Sequence, residues 1–382
     1  MYKRPAARIL GFNGLRALCV IAVFLSHKCD LKFYAAPLGV WAFLVLSGFL
    51  IIGELNKARC DIEAGYYGTG TAWKIFIVKR ALRILPAYYA LLLLLFIAKR
   101  LYGPPGTDLG FAWHAIYLSN YFTAYVSPDS GSPFGVLWTL SVEQQFYVFA
   151  PLAFLLCPSR WHRCICAGVI FVAATAHLSM QSFGVSDPVL YLTSPWNFAI
   201  IALGGFAGIS MRSDDQRFRV HGSLSLVAIL TLIGAYSASW LIIQSPDPVG
   251  GLSTIVVSFA LMLLVVWIRC NQESAFVRAL EWRPLEYLGV ISYGFYLVHN
   301  FVPSRSISSF LGLGGRPVLG LVIGTSISFF VSVAIAHVSW QLYERPLLKL
   351  RARLLPKRRL PTNLFPEMLP AGEAAALRRD GR

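Results

Sequence analysis

His27, Glu143 and His299 stand inside apolar segments of this 382-residue chain. At the centre of a bilayer such a group costs about 2.5 kcal/mol or more unless it is paired or faces a cavity, so each is a candidate for function. An imidazole titrates near neutrality and can take a proton from a hydroxyl. A buried carboxylate can orient that imidazole, steady the imidazolium or bind hydroxyls. His27 follows Arg16 by eleven positions, a helical rise of about 16 Å that places it in the outer half of the first apolar helix. Position alone equally suits an interface histidine beside Lys28. Glu143 stands with Ser141, Gln144 and Gln145 on a strongly polar turn after Trp138, and its depth predicts a level near that of His27. Tyr293, Tyr296 and His299 recur three residues apart and form one stripe of a helix. At the opposite end, Arg80 and Arg83 share a face beside Lys79 and can offer two guanidinium forks to phosphates. Plain anchoring of a helix at the cytoplasmic surface is the competing explanation. Glu344-Arg345-Pro346 reads as a helix-end ion pair followed by a proline stop.

These groups need helices to place them, and the composition supplies membrane helices. Hydrophobic residues make up 56% of the chain and charged residues only 14%, against about 25% in ordinary soluble domains. The expected fold is an all-α, polytopic transmembrane bundle. Ten spans are predicted, at 14–31, 36–54, 83–101, 134–156, 163–181, 192–210, 222–242, 250–268, 286–306 and 317–342. Segment 55–82 reads as a polar loop ending in an amphipathic stretch, and the apolar piece at 111–122 as interfacial or re-entrant. With both termini in the cytoplasm, only Lys28, Lys32, Lys99, Arg100, Arg305 and Arg316 of the 34 Lys and Arg residues fall on the other side, as the positive-inside rule asks. The net charge of +16 therefore reads as orientation and contact with anionic lipid, and no nucleic-acid motif accompanies it. The first helix lacks a small-residue cleavage site and is expected to be retained. The seven cysteines are scattered and read as small buried hydrophobes, with no metal site predicted. Residues 1–346 form the expected membrane domain, and 347–382 a basic, partly disordered cytoplasmic tail.

Six dispersed segments, in order, resemble the membrane-bound acyltransferase family 3. They are Gly14-Leu15-Arg16-Ala17 with His27; Gly39 to Leu50; Arg80-Ala81-Leu82-Arg83-Ile84-Leu85-Pro86; Trp138 to Tyr147; Ser292 to His299; and Tyr343-Glu344-Arg345-Pro346. The likeness runs from Gly14 to Pro346. Many members carry a hydrolase-like domain after the bundle, whereas a short basic tail follows here.

The resemblance implies O-acyl transfer, usually of acetyl, from acyl-CoA to a hydroxyl of a cell-envelope or exported glycan. It implies a multi-pass protein of the inner (plasma) membrane. His27 and Glu143 become the catalytic pair, and Arg80, Arg83 and Lys79 the binding site for the phosphates of acetyl-CoA. Trp138, Ser141, Tyr293, Tyr296 and His299 are candidates to bind the acceptor or stabilise the oxyanion, and Ser141 or His27 could carry a covalent acyl relay. Arg16, Glu344 and Arg345 are assigned structural roles. A proton-coupled exporter using His27 and Glu143 as its relay is the alternative. Such transporters usually carry paired discontinuous helices and internal symmetry, which the sequence does not display.

Overall fold

The computed structural model describes residues 8–29, 35–103, 110–127, 133–211, 220–243, 250–313 and 316–354. Its elements are α1 (Phe12–Lys28), α2 (Ala35–Glu63), α3 (Thr69–Tyr102), α4 (Phe111–Ala115), α5 (Ser119–Tyr121), α6 (Leu137–Leu156), α7 (His162–Ser182), α8 (Asp187–Leu192), α9 (Ser194–Ser210) and α10 (Ser223–Ile243). They continue as α11 (Gly250–Cys270), α12 (Ala275–Leu280), α13 (Arg283–Val290), α14 (Ser292–Val298), α15 (Ser304–Phe310), α16 (Pro317–Ser339) and α17 (Arg345–Leu354). The protein is an all-α, polytopic membrane bundle. Among the described residues, five helices are long and apolar enough to cross a membrane: 36–63, 69–102, 159–182, 253–270 and 317–350. Two shorter apolar helices lie at 195–210 and 223–236. Most of the predicted tail lies outside the described residues.

The helices missing from that group of five include those carrying His27, Glu143 and His299. Helix α1 is 17 residues long, just short of a full crossing by itself. Helix α6 contains the polar run from Ser141 to Gln145. The stretch predicted as one helix over 286–306 is broken into α13, α14, a 3-10 turn at His299–Phe301 and α15. Pro303, without a backbone N–H, precedes α15. Irregular backbone at membrane depth survives only when protein surrounds it, and here Ser292, Phe295, Leu297 and His299 are all buried. Polar elements thus occupy the middle of the bundle, and apolar helices such as α3, α7 and α16 are largely unburied.

Two other expectations change, and a third, for 111–122, gains detail. Segment 55–82 is largely helix, because α2 and α3 extend beyond their apolar stretches and leave only a short link around Gly65–Gly68. The piece at 111–122 becomes α4, α5 and a π turn at Phe122–Val126, too short to cross as a single helix. It folds back on α6, where Ser141 Oγ accepts the Ser119 N–H at 3.2 Å and Gln145 Nε2 donates to the Tyr117 carbonyl at 2.9 Å. At the last helix, Pro346 does not stop the chain, since α17 begins at Arg345. The preceding turn, Trp340–Glu344, is a π turn. Its wider pitch shifts the side-chain phase, and Glu344 is buried at 5% exposure. Arg345 turns elsewhere and bonds Gln341 at 3.0 Å, so no ion pair joins these two neighbours.

Helix α2 is the spine. It packs along α9, α1 and α6. A Cβ on Gly48 would strike the Ile201 carbonyl oxygen, and one on Gly204 the Val45 carbonyl oxygen. Small residues at these two points let the backbones of α2 and α9 touch.

Candidate active site

Two connected spaces open between α1, α2, α3, α6 and α14. The inner one is a vestibule of about 750 Å³, lined by Glu54, Lys57, Tyr66, Tyr67, Lys79 and Arg80 among others. The deeper one is a narrow chamber of about 110 Å³ whose lining includes Arg16, Ser47, Glu143, Tyr147, Ser292, Tyr293 and Tyr296. Leu50, Arg80 and Arg83 line both, so the chamber continues the vestibule. Along α2 the chamber reaches from Val40 to Ile51, roughly 16 Å at the helical rise.

Glu143 Oε1 accepts a hydrogen bond from Ser47 Oγ at 2.5 Å, and Tyr147 donates to Oε2 at 3.5 Å. Arg16, Arg83 and Arg80 are the cations acting on this carboxylate. Arg80 is neutralised by an ion pair to Glu54 at 2.5 Å, and Lys79 pairs with the same carboxylate. The Arg80 guanidinium also lies over the Phe76 and Tyr147 rings, 5.7 and 5.9 Å from their centroids. Among the described residues Arg16 and Arg83 have neither hydrogen-bond nor ion-pair partners, though both line the chamber. Glu344 reaches the same neighbourhood from the π turn and acts electrostatically on Arg83. The Ser292 hydroxyl, buried in the chamber wall, also lacks a partner. Such groups suit a ligand with anionic and carbonyl oxygens.

His27 is elsewhere. Its Nδ1 is 3.0 Å from His299 Nε2. His299 is fully buried between Phe24, Phe295 and Tyr296, whereas His27 is exposed. The chamber and the histidines meet at Tyr296. Its ring centroid is 5.5 Å from that of His299, and its hydroxyl, at the chamber wall, is 2.8 Å from Thr139 Oγ1. The predicted contact between His27 and Glu143 is therefore not formed. On α6 it is Thr139 that stands level with Tyr296, and Glu143 lies one turn, about 6 Å, further inward, at the level of Arg16.

Of the other candidates, Tyr293 lines the chamber while its hydroxyl donates to the Ile84 carbonyl at 2.8 Å. Trp138 packs edge-on against Tyr191, 4.7 Å between centroids, outside the chamber. The Ser141 hydroxyl donates to the Leu137 carbonyl at 3.2 Å while accepting from Ser119, which ties it to the scaffold. Ser47, Glu54 and Ser292 were not among the sequence candidates although they line these spaces, and Arg16, expected as structural, lines the chamber as well. Ser47 carried a signal, being the one hydroxyl in the otherwise apolar run from Gly39 to Leu50.

The bundle thus joins a basic mouth, a chamber in which two guanidinium groups have no partner among the described residues, and a histidine pair beyond Tyr296. The family described as an acyltransferase domain matches residues 9–337, and the chain belongs to it. It is 28% identical over 388 residues to Nodulation protein 10 of Rhizobium leguminosarum bv. viciae, covering 91% of this chain and 95% of that one. It is 27% identical over 364 residues to YrhL of Bacillus subtilis (strain 168), covering 89% and 55%. To the peptidoglycan O-acetyltransferase OatA of Listeria monocytogenes it is 25% identical over 315 residues, covering 75% and 48%. The chain thus spans about half the length of YrhL and OatA, and nearly all of the nodulation protein. No solved structure matches it.

Proposed function

We propose that the protein is a membrane-bound O-acyltransferase that moves an acyl group, acetyl in the simplest case, from acyl-CoA to a hydroxyl of a cell-envelope or exported glycan. The observation that carries this reading is the continuity of the vestibule with the chamber. A wide basic space at Lys57, Lys79 and Arg80 suits the nucleotide phosphates. The narrow chamber suits the pantetheine arm, which is about 15–20 Å long when extended, and leads the thioester toward Tyr296. Similarity to OatA supports an O-acetyl acceptor chemistry.

In this reading His27 removes the proton from the acceptor hydroxyl, and the oxygen attacks the thioester carbonyl. The tetrahedral intermediate collapses with cleavage of the C–S bond, and the His27 imidazolium returns its proton to the departing sulfur. Arg83 and Arg16 bind donor oxygens, and the Tyr296 hydroxyl is placed to face the oxyanion. Glu143 holds the arginines at the chamber floor and does not act on His27. Ten spans with both ends cytoplasmic complete the arrangement, which puts the vestibule on the side of the acyl-CoA supply and His27 on the outer side, in an inner (plasma) membrane. The test is purified protein in liposomes with labelled acetyl-CoA and a cell-envelope glycan fraction. Label should pass to alkali-labile esters on the glycan. Proton-driven glycan flux without ester formation would overturn the reading.

A further inference from the structure

His299 Nδ1 lies 2.8 Å from the carbonyl oxygen of Tyr296. A carbonyl can only accept, so Nδ1 carries the proton. In the neutral ring the other nitrogen, Nε2, is then a bare lone pair. That nitrogen faces His27 Nδ1 at 3.0 Å, so His27 must donate from Nδ1. The same logic leaves His27 Nε2 as the unprotonated atom of the pair. Ring geometry agrees with this sequence of bonds. The two planes differ by 6° and the centroids are 5.3 Å apart, the separation expected when a 3.0 Å N–H···N contact runs edge to edge in a common plane. Stacked rings with overlapping faces would bring the centroids closer.

We propose that His299 is the positioning residue of the acyl transfer: bonded to the Tyr296 carbonyl, it fixes the tautomer and the ring plane of His27, leaving Nε2 of His27 as the base. The inference rests on the proposed function, and it gives His299 the part that a buried carboxylate plays in a serine-hydrolase triad. A neutral acceptor suits this depth, because an added ion among apolar rings is costly to bury. Phe24, Phe295 and Tyr296 hold the His299 ring in place, and Lys28, the nearby cation, is occupied by the Val302 carbonyl at 2.8 Å. When His27 accepts the substrate proton, charge can spread onto His299 through the shared bond.

The test uses the full chain in liposomes, with His299→Leu, His299→Gln, His27→Ala and the double variant His27→Ala/His299→Leu. Only variants whose size-exclusion profile and thermal midpoint match the parent are scored. Leucine cannot accept from His27 and should lower kcat by about 10²-fold, with KM for acetyl-CoA within about twofold. Glutamine can accept through its side-chain oxygen and donate to the Tyr296 carbonyl, and should recover about tenfold of that loss. The double variant should be no slower than His27→Ala alone, since a positioning residue acts through the group it positions. The inference is overturned if leucine leaves kcat unchanged, if leucine and glutamine are equally slow, or if the loss lies in KM. An active His27→Ala protein overturns instead the assignment of His27 as base, which separates the two failures.

Discussion

The inner chamber and the outer histidine pair treat their polar groups differently. In the chamber, charges of both signs crowd together: Glu143 against Arg16, Arg83 and Arg80, with Glu54 and Glu344 behind. Among the described residues two of the guanidinium groups have no hydrogen-bonding partner, so these residues leave the chamber incompletely satisfied. The histidine pair is the reverse. Every nitrogen but His27 Nε2 is committed, in a line that ends on a backbone carbonyl. A region that leaves donors unmatched is suited to binding a ligand, whereas a region with one free lone pair is suited to moving one proton. In the proposed function this contrast separates donor binding from chemistry along the depth of the bundle.

Substitutions can break or sharpen this division. The largest effect is expected at the outer pair, where His27→Ala should reduce transfer by about 10³-fold and leave acetyl-CoA binding, measured by calorimetry, unchanged. Lost donor binding in that variant would merge the two regions. Next comes Arg83→Ala, which should raise KM for acetyl-CoA by about 10- to 100-fold, as the loss of charged hydrogen bonds to a ligand does, with kcat nearly constant. A smaller change is expected from Glu143→Gln, which keeps an acceptor for Ser47 but removes the anion among three cations. Its thermal midpoint should fall by several degrees while kcat stays within about tenfold of the parent, less than the roughly 10²-fold loss that removal of a general base brings. A collapse of kcat as deep as that of His27→Ala would return Glu143 to the catalytic step. The smallest effect is expected from Glu54→Gln. It releases Lys79 and Arg80 for the donor phosphates, and KM should fall by about two- to fivefold, in line with the modest worth of half-exposed ion pairs.

Much of this was legible in the sequence, for reasons that can be named. Residue type and burial cost singled out His27, Glu143 and His299, because an apolar helix tolerates such groups only with partners. Gly48, a small residue in an apolar helix, is where a neighbouring backbone can approach closely, and α9 does so. Depth was legible only to within a turn. A count along α6 does not reveal which residue stands level with Tyr296, and an error of one turn moves Glu143 from the histidines to the arginines. The break in the segment from Ser292 to Phe310 was hidden for a different cause: the apolar residues from Phe295 to Val302 read as one continuous helix, while Pro303 and the turn at His299 divide it. Partner choice was the least accessible, since Glu54 reaches Arg80 across two helices that the sequence separates with an apparent loop.

The contact of α2 with α9 has a mechanical consequence. Backbone resting on backbone at Gly48 and Gly204 cannot be loosened by rotating a side chain, so these two helices travel as one rigid plate. In the proposed function, any dilation that admits or expels a long acyl donor would come from the facing slabs, α3, α6 and α14. Of these, α3 is clamped to the plate at its inner end by the bridges from Lys79 and Arg80 to Glu54.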